Sequence, residues 1–237
     1  MKKQKMNHVQ PKVYQLSLGK VIISLIMFIL LWAIVTNAWN YTRLFFGAQK
    51  GSLVNTIYDF FSRFIWAIPA IVLLSYYSKC IPVTWKQLFT NMPHMKPLII
   101  TVAIIVLYNF GAMLFNHGGL WINPAFSFFK HFSTFIMVAF VEELVYRGWG
   151  LNALSMFLPE KKANIISTLF FVLLHLPAYF IKLYLTGTFP IATVVTQCVF
   201  VLILGLLFGY LYRRGKSLWS PMIVHFLADF LSIMLIG

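Results

Sequence analysis

Glu142, Glu143 and Asp229 are three of only five acidic residues in a chain of 237, and all three fall in stretches otherwise built from apolar side chains. Placing an ionisable side chain at membrane depth costs about 2.5–3.5 kcal/mol on insertion scales, so such groups face a cavity or a partner and usually carry a function. His175 and His225 lie in the same kind of setting. Carboxylates and imidazoles gathered away from water have three uses. They can activate a water by general-base chemistry, pass protons along a relay, or hold a divalent metal through two histidines and a carboxylate.

Helical spacing decides which of these groups can meet. Glu143 and Arg147 are four residues apart, the separation that allows an ion pair on one helix face. His225 and Asp229 share that separation. Glu142 and Glu143 are adjacent and therefore diverge by about 100° around a helix, so they cannot share one task. We expect Glu143 to be held by Arg147 and Glu142 to face the interior. Pro177, two residues after His175, removes the backbone bond to Leu173; the kink either leaves a carbonyl free near the histidine or serves packing alone. His131 lies on nearly the same stripe as Glu142 but about 16 Å further out, and reads as an interfacial histidine. His8, His94 and His117 fall in tails or loops and carry no expected chemistry.

The elements that must position these groups are membrane helices. The chain is 60% hydrophobic and 10% charged, against about 25% charged residues in an ordinary soluble domain. Apolar runs near the roughly 20 residues needed to cross a bilayer occur at 20–40, 57–77, 97–116, 126–147, 164–184, 190–211 and 218–236. The expected fold is therefore all-α, a polytopic transmembrane bundle of about seven spans. Nineteen Lys and Arg against five acidic residues give a net charge of +14, and their placement shows what the charge is for. With the N-terminus cytoplasmic, Lys2, Lys3, Lys5, Lys12, Lys20, Lys79, Lys86, Lys96, Arg147, Lys161, Lys162, Arg213, Arg214 and Lys216 fall on the inner side, as cytoplasmic loops require. Arg43, Lys50, Arg63, Lys130 and Lys182 fall on the outer side. Anionic lipid headgroups, not nucleic acid, are the expected partner of the basic residues.

Depth ties the polar residues together. At a rise of about 1.5 Å per residue, Glu142 lies about 8 Å from the inner end of a helix ending at Arg147, and His175 about 16 Å from Asn164. With Ser220 as N-cap and Pro221 at the first helical position, His225 and Asp229 lie about 7 and 13 Å in. Residues scattered over nearly ninety positions thus converge near one layer on the cytoplasmic side. Cys80 and Cys198 read as small packing residues and not as a disulfide. Gly205 and Gly209 form a small-xxx-small step that either admits a neighbouring helix or is incidental. The basic start, apolar run and Thr36-Asn37-Ala38 loosely mimic a signal peptide, but the run is too long and many more spans follow, so no cleavage is expected.

Three ordered motifs emerge: Glu142-Glu143-Leu-Val-Tyr-Arg147 followed by Gly148, Phe171-Val-Leu-Leu-His175, and His225-Phe-Leu-Ala-Asp229. Together they resemble the CAAX prenyl endopeptidase and bacteriocin-processing (Abi, CPBP) family of intramembrane glutamic proteases. The resemblance covers about residues 125–235, which divides the chain into N-terminal transmembrane helices, 1–120, and a CAAX protease-like core, 121–237. It implies that Glu142 and His175 activate a water while His225 and the residue at 229 stabilise the oxyanion, with Glu143 and its ion-pair partner Arg147 completing the set and no cofactor required.

Residue chemistry agrees with that implication, since a carboxylate withdrawn from water suits a general base and donors aimed at a developing oxyanion lower the barrier. Many members of the family carry Asn where this chain has Asp229. An ionised carboxylate cannot donate to an oxyanion, so Asp229 is protonated, or orients His225, or joins the two histidines on a divalent metal. The expected activity is cleavage of a peptide or lipidated peptide near the cytoplasmic face of a bacterial cell membrane, in bacteriocin self-immunity or peptide processing. The alternative is a non-catalytic protein, either an immunity factor or a proton-coupled transporter. A relay needs ionisable groups along a path to both faces, and only Asp59 is acidic near the outer one.

Overall fold

The computed structural model describes residues 15–45 and 53–237. Lys2, Lys3, Lys5, His8, Lys12 and Lys50 lie outside the described residues, as do the side chains of Arg43, Asp59 and Lys182. The described chain is helical throughout, in the order α1 (Leu18–Phe45), α2 (Leu53–Tyr76), α3 (Trp85–Thr90), α4 (Met95–His117), α5 (Phe128–Glu143), a π-helical segment (Leu144–Leu151), α6 (Asn152–Leu154), α7 (Glu160–Thr186), α8 (Ile191–Gly215) and α9 (Trp219–Leu235). Helices occupy all seven stretches expected from the apolar runs. Leu18–Ala38, Met95–His117, Glu160–Ile181 and Ile191–Gly215 are long and apolar enough to cross a membrane unaided, and Phe60–Tyr76 and Trp219–Leu235 are shorter apolar helices. The protein is a polytopic helical membrane protein.

Two helix ends differ from expectation. The fourth long helix does not stop at Arg147 but continues through the π-helical segment to Leu154, which puts Glu142 about 18 Å from that end instead of about 8 Å. The seventh begins at Trp219 with Leu218 at the N-cap position, so Ser220 is not the cap; its hydroxyl is buried without a hydrogen-bond partner among the described residues. The helix start is held differently. Leu218 donates its backbone N–H to the carbonyl of Leu88 at 2.9 Å, and Leu218 and Leu88 are both fully buried.

Leu88 belongs to α3, a short helix the apolar runs do not reveal. Its start is fixed by Thr84 and Gln87, whose side chains reciprocally bond each other's backbone N–H, the capping-box arrangement. Four further bonds fasten α3 and its flanks to the ends of the long helices. Asn152 brackets Val83, accepting from its N–H at 3.1 Å and donating to its carbonyl at 2.7 Å. Asn91 donates to the carbonyl of Lys216 at 2.9 Å, and the Trp219 indole donates to the carbonyl of Phe89 at 2.9 Å. The segment from Val83 to Asn91 thus closes one end of the bundle.

Packing draws on both halves of the chain. α9 packs against α4, α5 and α8, α7 against α8 and α1, and α2 against α5. A single buried apolar cluster includes Val21 and Leu25 of α1, Trp66 and Leu74 of α2, and Leu144, Phe171, Phe208 and Val224 of the later helices. Helices α7 and α8 meet at the Gly205–Gly209 step. A Cβ at Gly209 would lie 1.6 Å from Asn164 Oδ1, and one at Gly205 would lie 2.7 Å from Thr168 Cγ2. Only glycine permits this approach, and it lets Asn164 donate to the carbonyl of Leu206 at 3.1 Å. Neither Cys80 nor Cys198 forms a disulfide among the described residues.

Candidate active site

Glu143 and Arg147 form the base of the site. The guanidinium donates from Nη1 to Glu143 Oε1 at 2.9 Å and from Nη2 to the carbonyl of Gly205 at 2.9 Å. Its carbon lies 4.6 Å from the centre of the Phe171 ring and 5.3 Å from that of Phe208, so the cation is sandwiched between aromatic faces. Glu143 Oε1 also accepts from His225 Nδ1 at 2.9 Å. One carboxylate oxygen therefore ties α5 to the π-helical segment and to α9, while Glu143 Oε2 is buried without a partner among the described residues. Burying a charge this deeply is tolerable only with such pairing.

The adjacent Glu142 points elsewhere, as the turn of the helix requires. Together with His175, His225 and Asp229 it lines a cavity of about 300 Å³ walled by α5, α7, α8 and α9, while Glu143 is not among the lining residues. His225 Nε2 lies 3.4 Å from Asp229 Oδ2 and 3.8 Å from Glu142 Oε2. Phe208 stacks on the His225 ring with centroids 4.8 Å apart, and Phe171 meets the same ring edge-on at 5.9 Å. These aromatic contacts fix the imidazole plane so that one nitrogen faces Glu143 and the other faces the cavity.

His175 is held from within its own helix. Its Nδ1 lies 2.9 Å from the carbonyl of Phe171, and since a carbonyl can only accept, Nδ1 carries the proton. A neutral His175 then presents an Nε2 lone pair. Pro177 lies inside an unbroken α7, and the carbonyl engaged by the histidine is that of Phe171, not that of Leu173. Among the described residues no three His, Cys, Asp or Glu side chains form a metal-ligand set; in the trio considered from sequence, His225 Nδ1 is already occupied by Glu143.

The structure thus brings Glu142, His175, His225 and Asp229 to one cavity and places Glu143 and Arg147 beneath it. Sequence spacing misses Gly205 and Phe208 as partners of Arg147 and His225. Their signal is present in hindsight, because Gly205, Phe208 and Gly209 share one helix face by their three- and four-residue spacing. It also misses Ser167, whose hydroxyl donates to the carbonyl of Tyr146 at 2.6 Å, and Trp149, whose indole donates to Ser24 of α1 at 2.7 Å. These bonds clamp the π-helical segment between α1 and α7, and π-helical turns recur at functional sites.

Residues 123–231 match the family model described as Type II CAAX prenyl endopeptidase Rce1-like. No curated protein and no solved structure matches the chain. The matched segment contains all three motifs and every residue that lines the acidic cavity apart from Ser232 and Ile233. Through this segment, a little under half of the chain, the protein is similar to the Type II CAAX prenyl endopeptidases.

Proposed function

We propose that the protein hydrolyses a peptide bond within the membrane, with Glu142 as general base toward a water and His175 holding that water through Nε2. The observation that carries this reading is the division of labour between two adjacent glutamates: Glu143 is consumed by Arg147 and His225, whereas Glu142 faces the cavity that His175 and His225 also line. In the forward step the water oxygen bonds to the carbonyl carbon, its proton passes to Glu142, and the carbonyl oxygen becomes an oxyanion. The C–N bond then breaks, Glu142 returns its proton to the leaving amine, and an acid and an amine are released.

Stabilising the oxyanion falls to His225. Its Nδ1–H is committed to Glu143, so it donates from Nε2 only as the doubly protonated imidazolium. Asp229, whose Oδ2 lies 3.4 Å from that nitrogen, fixes the ring as an acceptor. On this reading Asp229 is a positioning residue acting through His225, and an asparagine in its place would serve the same orientation.

A Lys- and Phe-rich composition favours a bacterial membrane and a role in bacteriocin self-immunity or in processing a secreted peptide. The test is cleavage of lipidated and bacteriocin-like peptides by purified protein in detergent, beside Glu142→Ala, His175→Ala and His225→Ala, with and without chelator. Cleavage by wild type alone, indifferent to chelator, is the expected result. Loss on chelation would put a metal in the site. Absence of cleavage, with all three variants still protecting cells as wild type does, would favour a non-catalytic immunity factor.

A further inference from the structure

The cavity has one closed end and one open end, and the chain's charge identifies which side of the membrane each faces. Every residue lining the cavity lies level with the Glu142–His225 pair or displaced from it in one direction, except Phe171 and Phe208, which hold Arg147 at the floor. On α5 these are Phe135 and Val138, upstream of Glu142; on α9 they are Asp229 and Ser232, downstream of His225; on α8 they run from Gln197 to Leu204, upstream of the Gly205 carbonyl that holds Arg147. Side-chain exposure rises along the same direction on α9, from 6% at His225 to 31% at Asp229. In the opposite direction the cavity ends against tightly packed apolar side chains. Leu144, Val145, Leu151, Leu218 and Leu88 are all fully buried, and α3 with its flanking bonds closes that end.

The closed end is the basic end. Lys86 lies on α3 with Lys79 and Lys96 on its flanks, Lys161 and Lys162 open α7, and Arg213, Arg214 and Lys216 close α8. Direct contacts confirm that these helix ends are neighbours: Lys216 pairs with Glu160, Asn91 bonds the carbonyl of Lys216, and a Cβ at Gly215 would touch the backbone of His94 at 3.2 Å. Such a concentration of Lys and Arg marks the cytoplasmic side.

We infer that the site is reached from the non-cytoplasmic side, so that its substrates are peptide segments presented at the outer face of the membrane and not cytoplasmic ones. The inference rests on reading the Glu142–His225 cavity as the reacting site, and it replaces the expectation of cleavage near the cytoplasmic face. It also sets a reach. From His225 to the end of α9 at Leu235 is ten residues, about 15 Å of helix rise, which an extended chain at about 3.3 Å per residue covers with about five residues. A substrate must therefore offer an unfolded stretch of about that length next to the membrane, as an exported peptide or a locally unwound membrane helix does.

Accessibility of single cysteines decides the matter without requiring turnover. In a Cys80→Ser, Cys198→Ser background, Ser232→Cys and Gln197→Cys each place a thiol in the open part of the cavity, and Lys161→Cys places one at the basic end. Each is exposed to a membrane-impermeant maleimide in right-side-out and inside-out vesicles, with total thiol measured after solubilisation. The cavity thiols should label only in right-side-out vesicles and the Lys161→Cys thiol only in inside-out ones. Cavity labelling from the inside-out side, from neither side, or from both sides overturns the inference, the last by describing a water path across the membrane. Failure of peptide cleavage, with labelling as expected, would instead overturn the protease reading and leave the sidedness standing.

Discussion

Removing the Arg147 guanidinium should unfold the site from below, and removing Glu143 as well should largely repair it. Arg147→Met deletes two bonds of 2.9 Å, to Glu143 Oε1 and to the Gly205 carbonyl, and leaves a fully buried carboxylate with His225 as its remaining partner. Breaking a buried pair by removing one partner costs about 3–5 kcal/mol. For a chain of this size about 2–4 °C of melting temperature accompanies each kcal/mol, so the apparent Tm should fall by roughly 6–20 °C. Adding Glu143→Gln removes the stranded charge while its amide oxygen still accepts from His225 Nδ1. The double variant should therefore recover at least about 2 kcal/mol over Arg147→Met alone, a coupling that a double-mutant cycle reads directly. Thermal unfolding in detergent, followed by loss of the helical circular-dichroism signal, measures all four corners of the cycle. If Arg147→Met melts with wild type, or if the second substitution makes matters worse, Glu143 is not the structural partner described above and its separation from Glu142 in role fails.

Three other substitutions test neighbouring parts of the argument. Asp229→Asn should keep most of the peptide-cleaving activity while Asp229→Ala loses at least about tenfold, because orientation of His225 needs an acceptor and not a charge; kcat measured with the same peptide separates the two. Gly209→Ala drives a Cβ to 1.6 Å from Asn164 Oδ1 and should cost about 1–3 kcal/mol by overpacking; adding Asn164→Ala should return most of the lost Tm, and its failure to do so would deny that α7 and α8 are fitted at that step. Asn152→Ala unpairs both backbone groups of Val83 and should cost about 1–3 kcal/mol, with faster hydrogen exchange confined to Val83–Asn91.

Much of the site is legible in the sequence because a membrane makes polar residues conspicuous. Three acidic side chains in apolar stretches need no alignment to stand out, and the four-residue spacings of Glu143–Arg147 and His225–Asp229 survive in the folded chain as contacts of 2.9 and 3.4 Å. Depth is less legible, since it depends on where helices end. The buried run Leu144–Leu151 gives no sign that the helix continues in π form, so an estimate that stops it at Arg147 brings Glu142 too near one face. Helix α3 is too short for an apolar window, and only the Thr84–Gln87 pair hints at it. Contacts between helices, such as Arg147 with the Gly205 carbonyl fifty-eight residues away, follow from packing that periodicity within one helix cannot specify.

The adjacency of Glu142 and Glu143 is the arrangement that makes the site work as one unit. Two carboxylates one residue apart diverge by about 100°, so a single helix delivers one into the protein and one into the cavity at the same depth. The buried member engages Arg147 and the Nδ1 face of His225, and the cavity member meets the Nε2 face of the same ring at 3.8 Å. His225 thus reads both glutamates at once. A shift of α5 by a single residue would exchange the two roles and strand Arg147, which is why the π-helical segment below them is clamped by Ser167 from α7 and Ser24 from α1. The N-terminal helices, though outside the matched family segment, are on this account part of what holds Glu142 in register with the His225 ring.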